Sequence, residues 1–318
     1  MSALGSLAIA TAALPAALLA ASHLKTRRLA KQAETLVPPC GQLQHVPGGL
    51  IHYVEMGPAD AQPLVLIHGL SGQLQHFTYA LADMLAPDFR LIILDRPGCG
   101  YSVRDHDNLA TLPEQAKMIQ AFLDLRKIEN PILCGHSLGG AIALAMAMDA
   151  PAKIKGLALL APLTHPVSDA GVFKGLIVNT PFMRRLMAQT VAIPAAQRTA
   201  AEVLQQVFAP SSCPDDFLIR AGGALGLRPK SFVTASSDAT LASSRIAEQS
   251  QRYDTDLKTP GAILFGQGDA ILDPSAQGQA MTTHGLDCQF LPGEGHMLPI
   301  TAPNKCDQFI RKVAASFC

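Results

Sequence analysis

Short apolar runs recur along the chain and alternate with segments of helical pattern. A continuous apolar run predicts a strand that is covered on both faces, and strands that alternate with helices predict a mostly parallel sheet with helices on both sides. The predicted strands lie at 50–55, 63–67, 90–94, 132–134, 156–161, 262–265 and 288–291. The predicted helices lie at 77–85, 111–125, 141–150, 275–283 and 304–317. The pattern therefore predicts an α/β fold.

One long segment interrupts this alternation. Residues 165–235 contain no convincing buried strand, and short helical pieces rich in Phe, Met and Leu are separated by prolines. An insertion of this size between two strands predicts a helical cap over the strand ends. The expected domains are an N-terminal segment (1–34), two parts of one core (35–164 and 236–318) and the cap (165–235).

The N-terminal segment differs from the rest of the chain. Residues 3–22 carry no charge, and Lys25, Arg27, Arg28 and Lys31 follow at once. Twenty uncharged residues suffice to span a bilayer of about 30 Å, and a basic flank tends to stay in the cytoplasm. We therefore expect a membrane anchor with a cytoplasmic catalytic domain. An interfacial helix and a cleaved signal peptide, the latter with a secreted or periplasmic domain, are the alternatives.

Composition narrows the function classes. The 318 residues carry 25 basic and 25 acidic side chains, so the formal net charge is zero and nucleic acid is not an expected partner. The ten histidines are scattered without ligand spacing, which argues against a metal site. Seven cysteines without a C-x-x-C motif do not resemble a disulfide framework. Nothing in the sequence decides the oligomeric state.

The most informative motif follows the run at 132–134. Gly135-His136-Ser137-Leu138-Gly139 stands between this strand and an apolar helix. A G-x-S-x-G sequence in that context predicts a nucleophile elbow, a strained turn that exposes a serine hydroxyl at the start of a helix. Ser137 is therefore the candidate nucleophile.

An acid is expected after the serine in the chain, at the end of a strand. Asp269 lies in the turn after the run at 262–265. Asp273 is the competitor, but it directly precedes Pro274 and is better explained as a helix cap. Asp95 also follows a strand, yet it precedes the serine, so we interpret it as part of a structural turn.

The candidate base is His296, in the glycine-rich loop Pro292-Gly-Glu-Gly-His296 after the last strand. A serine hydroxyl needs such a base to remove its proton, and the acid holds the base in one tautomer. The competing histidines are His284, which precedes the last strand, His165, which lies at the start of the cap, and His136, which adjoins the serine.

Two backbone N–H groups are expected to form an oxyanion hole. Leu138 follows the nucleophile directly. The other N–H is that of Leu70, in the loop after the run at 63–67, where Gly69 allows the backbone to turn toward the serine.

These motifs resemble those of the α/β-hydrolase-fold superfamily, in particular esterases and lipases with a helical cap. They run in family order from about residue 45 to the C-terminus: His68-Gly69, Asp95 to Gly100, Gly135 to Gly139, Gly266 to Asp269 and Gly295-His296. The resemblance implies Ser137 as nucleophile, Asp269 as acid and His296 as base. Serine at the elbow separates the chain from relatives that carry aspartate there.

The expected function is hydrolysis of a small apolar or lipid-like carboxylic ester through an acyl-enzyme, without a cofactor. The absence of tryptophan and the aliphatic cap favour an aliphatic acyl group. A C–C bond hydrolase, a thioesterase or an acyltransferase with the same triad is the alternative. A binding or receptor protein on this fold, with little turnover, is the alternative from another class.

Overall fold

The computed structural model describes residues 3–169 and 171–317, with the side chains of residues 3–16 and 242–244 left outside the description. Its strands are β1 (Gln42–Val46), β2 (Gly49–Met56), β3 (Gln62–Ile67), β4 (Phe89–Leu94), β5 (Val103–Arg104), β6 (Ile132–Gly135), β7 (Gly156–Leu160), β8 (Gly261–Gly266) and β9 (Leu286–Leu291). All of them belong to one sheet.

The helices divide into those of the core and those of the insertion between β7 and β8. The α-helices are α1 (Ala3–Leu36), α2 (Gln75–Thr78), α3 (Leu81–Leu85), α4 (Leu112–Leu125), α5 (Leu138–Asp149), α6 (Pro181–Gln189), α7 (Ala192–Phe208), α8 (Phe217–Arg220), α9 (Pro229–Ser250), α10 (Tyr253–Asp256), α11 (Pro274–Gln277), α12 (Leu298–Thr301) and α13 (Pro303–Ala315). Short 3₁₀ helices lie at Asp107–Ala110, Pro151–Lys153, Gly171–Leu176, Gly223–Leu227 and Gln279–His284.

The sheet is mostly parallel, which confirms the predicted fold class. Its strand order is β1-β2-β4-β3-β6-β7-β8-β9, and β5 pairs with β2. The pairs from β4 through β9 are parallel, whereas β2 pairs antiparallel with β1, β4 and β5. The carboxyl ends of β3, β6 and β8 therefore lie at one edge of the sheet, where α/β proteins bind their ligands.

Continuous burial explains why the central strands could be predicted from the sequence. Every residue of β6 and β7 is buried, and so are Leu64 to Ile67 in β3. The strands absent from the prediction, β1 and β5, lie at the margin of the sheet. The sequence of β1 is largely polar and exposed, and β5 has two residues, so neither produces an apolar run.

The segment between β7 and β8 is mainly helical in its described part and contains the α-helices α6, α7, α8, α9 and α10. The division expected between residues 235 and 236 stays a prediction, and α9 runs through that point without a break. Contacts of α9 with α4 and with the 3₁₀ helix at Asp107–Ala110 join this insertion to the core.

The predicted membrane anchor is wrong. In the described part of the chain, no helix combines the length and the apolarity needed to cross a bilayer. Most of the segment expected to span, residues 3–16, has side chains outside the description. The predicted localisation, a single-span protein with a cytoplasmic catalytic domain, is therefore wrong as well.

The basic half of α1 packs on the insertion. The hydroxyl groups of Ser22 and Thr26 both donate to the carbonyl of Thr190, at 2.7 and 3.0 Å. Farther along the chain, Ala33 in α1 and Val37 directly after it are buried against Leu225 and its neighbours. The segment expected to flank a bilayer is therefore part of the folded domain.

Candidate active site

Ser137 lies in the strained turn between β6 and α5. Its backbone has φ 55° and ψ −122°, an unusual conformation for a residue with a side chain. The flanking glycines make this turn sterically feasible. A Cβ on Gly139 would lie 2.0 Å from the carbonyl oxygen of Ile67, and one on Gly135 would lie 2.5 Å from that of Gly139. The Ser137 side chain is only partly buried.

Asp269 and His296 form a hydrogen-bonded pair at the same edge of the sheet. Asp269 follows β8, His296 follows β9, and Nδ1 of the imidazole lies 2.7 Å from Oδ2 of the carboxylate. A carboxylate accepts, so Nδ1 carries the proton and Nε2 is left as the acceptor in the neutral ring. The other oxygen, Oδ1, accepts from the N–H groups of Ile271 and Leu272 at 2.8 and 2.9 Å. Asp269 is thus held rigidly.

The elbow and the loop of His296 are joined directly. The ring of His136, the residue before Ser137, donates from Nε2 to the carbonyl oxygen of His296 at 2.9 Å. The two imidazole rings also pack with their centroids 4.9 Å apart. Residues 160 positions apart in the chain are therefore neighbours.

The loop after β3 lies against the elbow from the other side. A Cβ on Gly69 would be 2.8 Å from Cβ of Ser137 and 3.3 Å from its Oγ, so only glycine allows this approach. Within the described residues, neither the N–H of Leu70 nor that of Leu138 has a hydrogen-bond acceptor. Leu138 directly follows Ser137, and Leu70 directly follows the glycine that lies against it. Backbone N–H groups without an acceptor are the kind of donor that stabilises a negatively charged oxygen.

A family model described as the alpha/beta hydrolase fold matches residues 62–303, about three quarters of the chain. The chain belongs to the α/β-hydrolase fold family.

Individual relatives cover most of the chain. The dihydrolipoyllysine-residue acetyltransferase component of the acetoin cleaving system of Pseudomonas putida is 28% identical over 284 residues, which is 86% of this chain and 70% of the relative. A crystal structure of an α/β-hydrolase-fold protein from Burkholderia ambifaria superposes with a TM-score of 0.71 at 23% identity, covering 85% of this chain and 97% of the other. A thermophilic esterase from Thermogutta terrifontis gives 0.63 at 22% identity, covering 87% and 99%. These two structural similarities show that the chain shares the fold of both proteins.

The competing acidic residues of this hydrolase-fold chain have other partners. Asp273 accepts from the N–H of Ala276 at 2.7 Å and caps α11. Asp95 is fully buried, and its carboxylate pairs with His52 at 2.7 Å while accepting from the N–H of Leu74. This second His–Asp pair braces the turn after β4.

The competing histidines also point elsewhere. His284 pairs with Asp254 at 2.8 Å just before β9, at the opposite edge of the sheet. His165 contacts the hydroxyl of Thr164 at 2.9 Å. Burial lowers the pKa of His136 well below its usual value, and the neighbouring His296 lowers it further. His136 is therefore neutral, with Nε2–H committed to the carbonyl of His296.

One buried cation beside the site could not be predicted from the sequence, because its partners are distant in the chain. Arg96 follows Asp95, and its guanidinium contacts the loop of Gly69 and the carboxylate of Asp238 in α9. The sequence shows an arginine directly after Asp95, but no local pattern connects Arg96 with residue 238.

Among the described residues, no cluster of three or more His, Cys, Asp or Glu side chains is arranged to hold a metal.

Proposed function

We propose that this protein is a serine hydrolase that cleaves an apolar carboxylic ester through a Ser137–His296–Asp269 triad. The observation that carries the proposal is the 2.7 Å contact between Nδ1 of His296 and Oδ2 of Asp269. It leaves Nε2 as the basic atom of the ring, in a loop hydrogen-bonded to the residue before Ser137. A base held in one tautomer next to a serine elbow is what acyl transfer requires.

In the proposed reaction, Oγ of Ser137 attacks the carbonyl carbon while Nε2 of His296 takes the hydroxyl proton. The C–O bond to the alcohol then breaks, and the leaving oxygen takes that proton from His296. Water attacks the acyl-enzyme by the same route in reverse, which releases the carboxylic acid and restores the serine. Asp269 stabilises the imidazolium that forms in each half of the cycle.

The N–H groups of Leu70 and Leu138 are proposed to bind the oxyanion. Their support is the proximity of Gly69 to Ser137 and the position of Leu138 as the first residue of α5, whose N–H points out of the helix. One such donor is typically worth about 2.7–4 kcal/mol in the transition state.

An aliphatic ester is the substrate class that fits best. The chain contains no tryptophan, and the cap supplies Phe, Met and Leu side chains. The Thermogutta terrifontis esterase described above, whose fold this chain shares, shows that the fold supports ester hydrolysis.

Acyl transfer to an acceptor other than water is the second candidate. The Pseudomonas relative is named as an acetyltransferase component, and it covers 86% of this chain. The same acyl-enzyme serves both reactions, since an alcohol or thiol that excludes water receives the acyl group instead. The two candidates differ only in the second half-reaction.

Labelling with a fluorophosphonate probe, followed by hydrolysis of p-nitrophenyl esters of increasing chain length, tests the proposal. Wild type and Ser250→Ala, a serine near the end of α9, should label and turn over alike, whereas Ser137→Ala should do neither. Labelling that survives Ser137→Ala would overturn the assignment, and absence of labelling in wild type would favour a binding protein. Adding an alcohol and measuring the new ester against the free acid separates transferase from hydrolase.

A further inference from the structure

Arg96 is the largest side chain that is completely buried in the described structure. Two of its nitrogens bind the loop after β3: Nε donates to the carbonyl of His68 at 2.9 Å, and Nη2 donates to the carbonyl of Gly69 at 3.0 Å. The backbone N–H of Arg96 also donates to Nε2 of His68 at 3.0 Å. Arg96 therefore binds both residue 68 and residue 69. The carbonyl of Gly69 also accepts from Nδ1 of His68 at 2.9 Å and from the N–H of Gly72 at 3.2 Å.

The bond from Arg96 to the carbonyl of Gly69 constrains the direction of the Leu70 N–H. The carbonyl of Gly69 and the N–H of Leu70 belong to the same planar trans peptide unit, in which they point in opposite directions. Because the guanidinium holds this oxygen on its own side, the N–H points away from Arg96. Rotation of the unit would exchange the donor for a carbonyl oxygen, which repels a developing oxyanion.

The remaining nitrogen connects Arg96 to the cap. Nη1 donates to Oδ2 of Asp238 in α9 at 2.8 Å and to Oε1 of Gln115 in α4 at 2.7 Å. Asp238 is itself completely buried and also accepts from Nη1 of Arg104 at 2.8 Å. A buried guanidinium without a counter-charge is costly, and Asp238 supplies that counter-charge and holds the guanidinium in place.

We propose that Arg96 is a positioning residue for the oxyanion hole, and that Asp238 of the cap helix holds Arg96 in that role. The orientation of the Leu70 N–H then depends on the docking of α9, so the cap contributes to the chemical step and not only to substrate binding. This inference rests on the serine-hydrolase function proposed above.

Arg104 provides a matched control. It binds the same carboxylate through Nη1 and also donates to the carbonyl of Pro97 at 3.0 Å, but it has no hydrogen bond to residues 68–70 in the described structure. Arg96→Lys and Arg104→Lys both keep the positive charge beside Asp238. A lysine at position 96 has a single ammonium group, which cannot bridge the two carbonyls and Asp238 in the geometry of a guanidinium.

The experiment compares kcat, KM and inhibition by an alkyl trifluoromethyl ketone, whose adduct with serine carries an oxyanion. We expect Arg96→Lys to lower kcat by about 100-fold, the size of one lost oxyanion donor, with KM within about threefold of wild type. Affinity for the ketone should fall in parallel with kcat. Arg104→Lys should leave all three within about threefold.

A second variant tests the same proposal in case Arg96→Lys does not fold. Asp238→Asn keeps the side-chain volume and one acceptor oxygen, and it should lower kcat by a smaller factor than Arg96→Lys with KM preserved. Thermal unfolding identifies a variant that does not fold. Wild-type kcat in Arg96→Lys, or equal losses in Arg96→Lys and Arg104→Lys, would overturn the positioning role while leaving the serine-hydrolase proposal intact. Turnover in wild type that does not depend on Ser137 would overturn both.

Discussion

The imidazole of His136 donates a 2.9 Å hydrogen bond from Nε2 to the carbonyl oxygen of His296. The residue before the candidate nucleophile therefore holds the loop of the candidate base in place. Both side chains are buried, and their rings are in contact. The motif G-x-S-x-G thus contributes more than its serine, because the residue at x fixes the loop that the serine needs.

Removing this donor should weaken the fold near the site. His136→Leu leaves the carbonyl of His296 without its partner, and we expect the free energy of unfolding to fall by about 1–3 kcal/mol. His136→Gln, whose amide N–H₂ is able to reach the same oxygen, should recover part of this loss. Denaturant unfolding of both variants measures the difference, and equal stability of the two would contradict the role of the hydrogen bond.

The two aspartates after β8 should differ sharply when changed. Asp269→Asn replaces a carboxylate that accepts from His296, so the ring loses the partner that selects its tautomer, and we expect kcat to fall by about 10⁴-fold. Asp273→Asn retains a good helix-capping side chain and should leave kcat within about threefold. Ester hydrolysis by the purified variants decides the ranking, and the reverse order would assign the acid to Asp273.

Stability should fall in mild acid because histidines are buried without charge. Burial lowers the pKa of His76 to about 4, and the charge of Asp95 opposes this shift only in part. The unfolded chain binds a proton on this side chain below about pH 6.5, whereas the folded chain binds it only below about pH 4. Between these values the free energy of unfolding should drop as pH falls, by about 3 kcal/mol from His76 alone.

His68 and His136 should contribute in the same direction, since burial lowers the pKa of both. Denaturant midpoints measured from pH 7 to pH 4 test the slope. His76→Leu should reduce it, and the matched change at an exposed histidine, His106→Leu, should not. A slope that His76→Leu leaves unchanged would refute this source of acid sensitivity.

The packing of α1 predicts different results for two N-terminal deletions. Removal of residues 1–21 leaves the bonds of Ser22 and Thr26 to Thr190 in place, so stability and activity should be retained. Removal of residues 1–34 also deletes the buried Leu29 and Ala33 and exposes the surface around Leu225. We expect that deletion to lower the free energy of unfolding by about 2–4 kcal/mol. Similar thermal unfolding of the two forms would be inconsistent with this packing.

The sequence by itself was sufficient to predict the central sheet and the order of the motifs along the chain. The runs at 63–67, 90–94 and 132–134 are apolar because both faces of those strands are covered, and their short length separates them from a buried helix such as α5. The candidate residues Ser137, Asp269 and His296 lie in the loops that follow three strands, and the carboxyl ends of parallel strands share an edge. Local pattern and sheet geometry therefore suffice to propose them together.

Only the tertiary structure decided which distant groups meet. The bond from His136 to His296 and the contacts of Arg96 with Gly69 and Asp238 join residues whose separation in the chain carries no periodic signal. The N-terminal segment illustrates the same limit. Its uncharged run and basic flank resemble a membrane anchor, but hydropathy describes a segment alone, whereas the packing of α1 against Thr190 and Leu225 depends on surfaces that the rest of the chain provides.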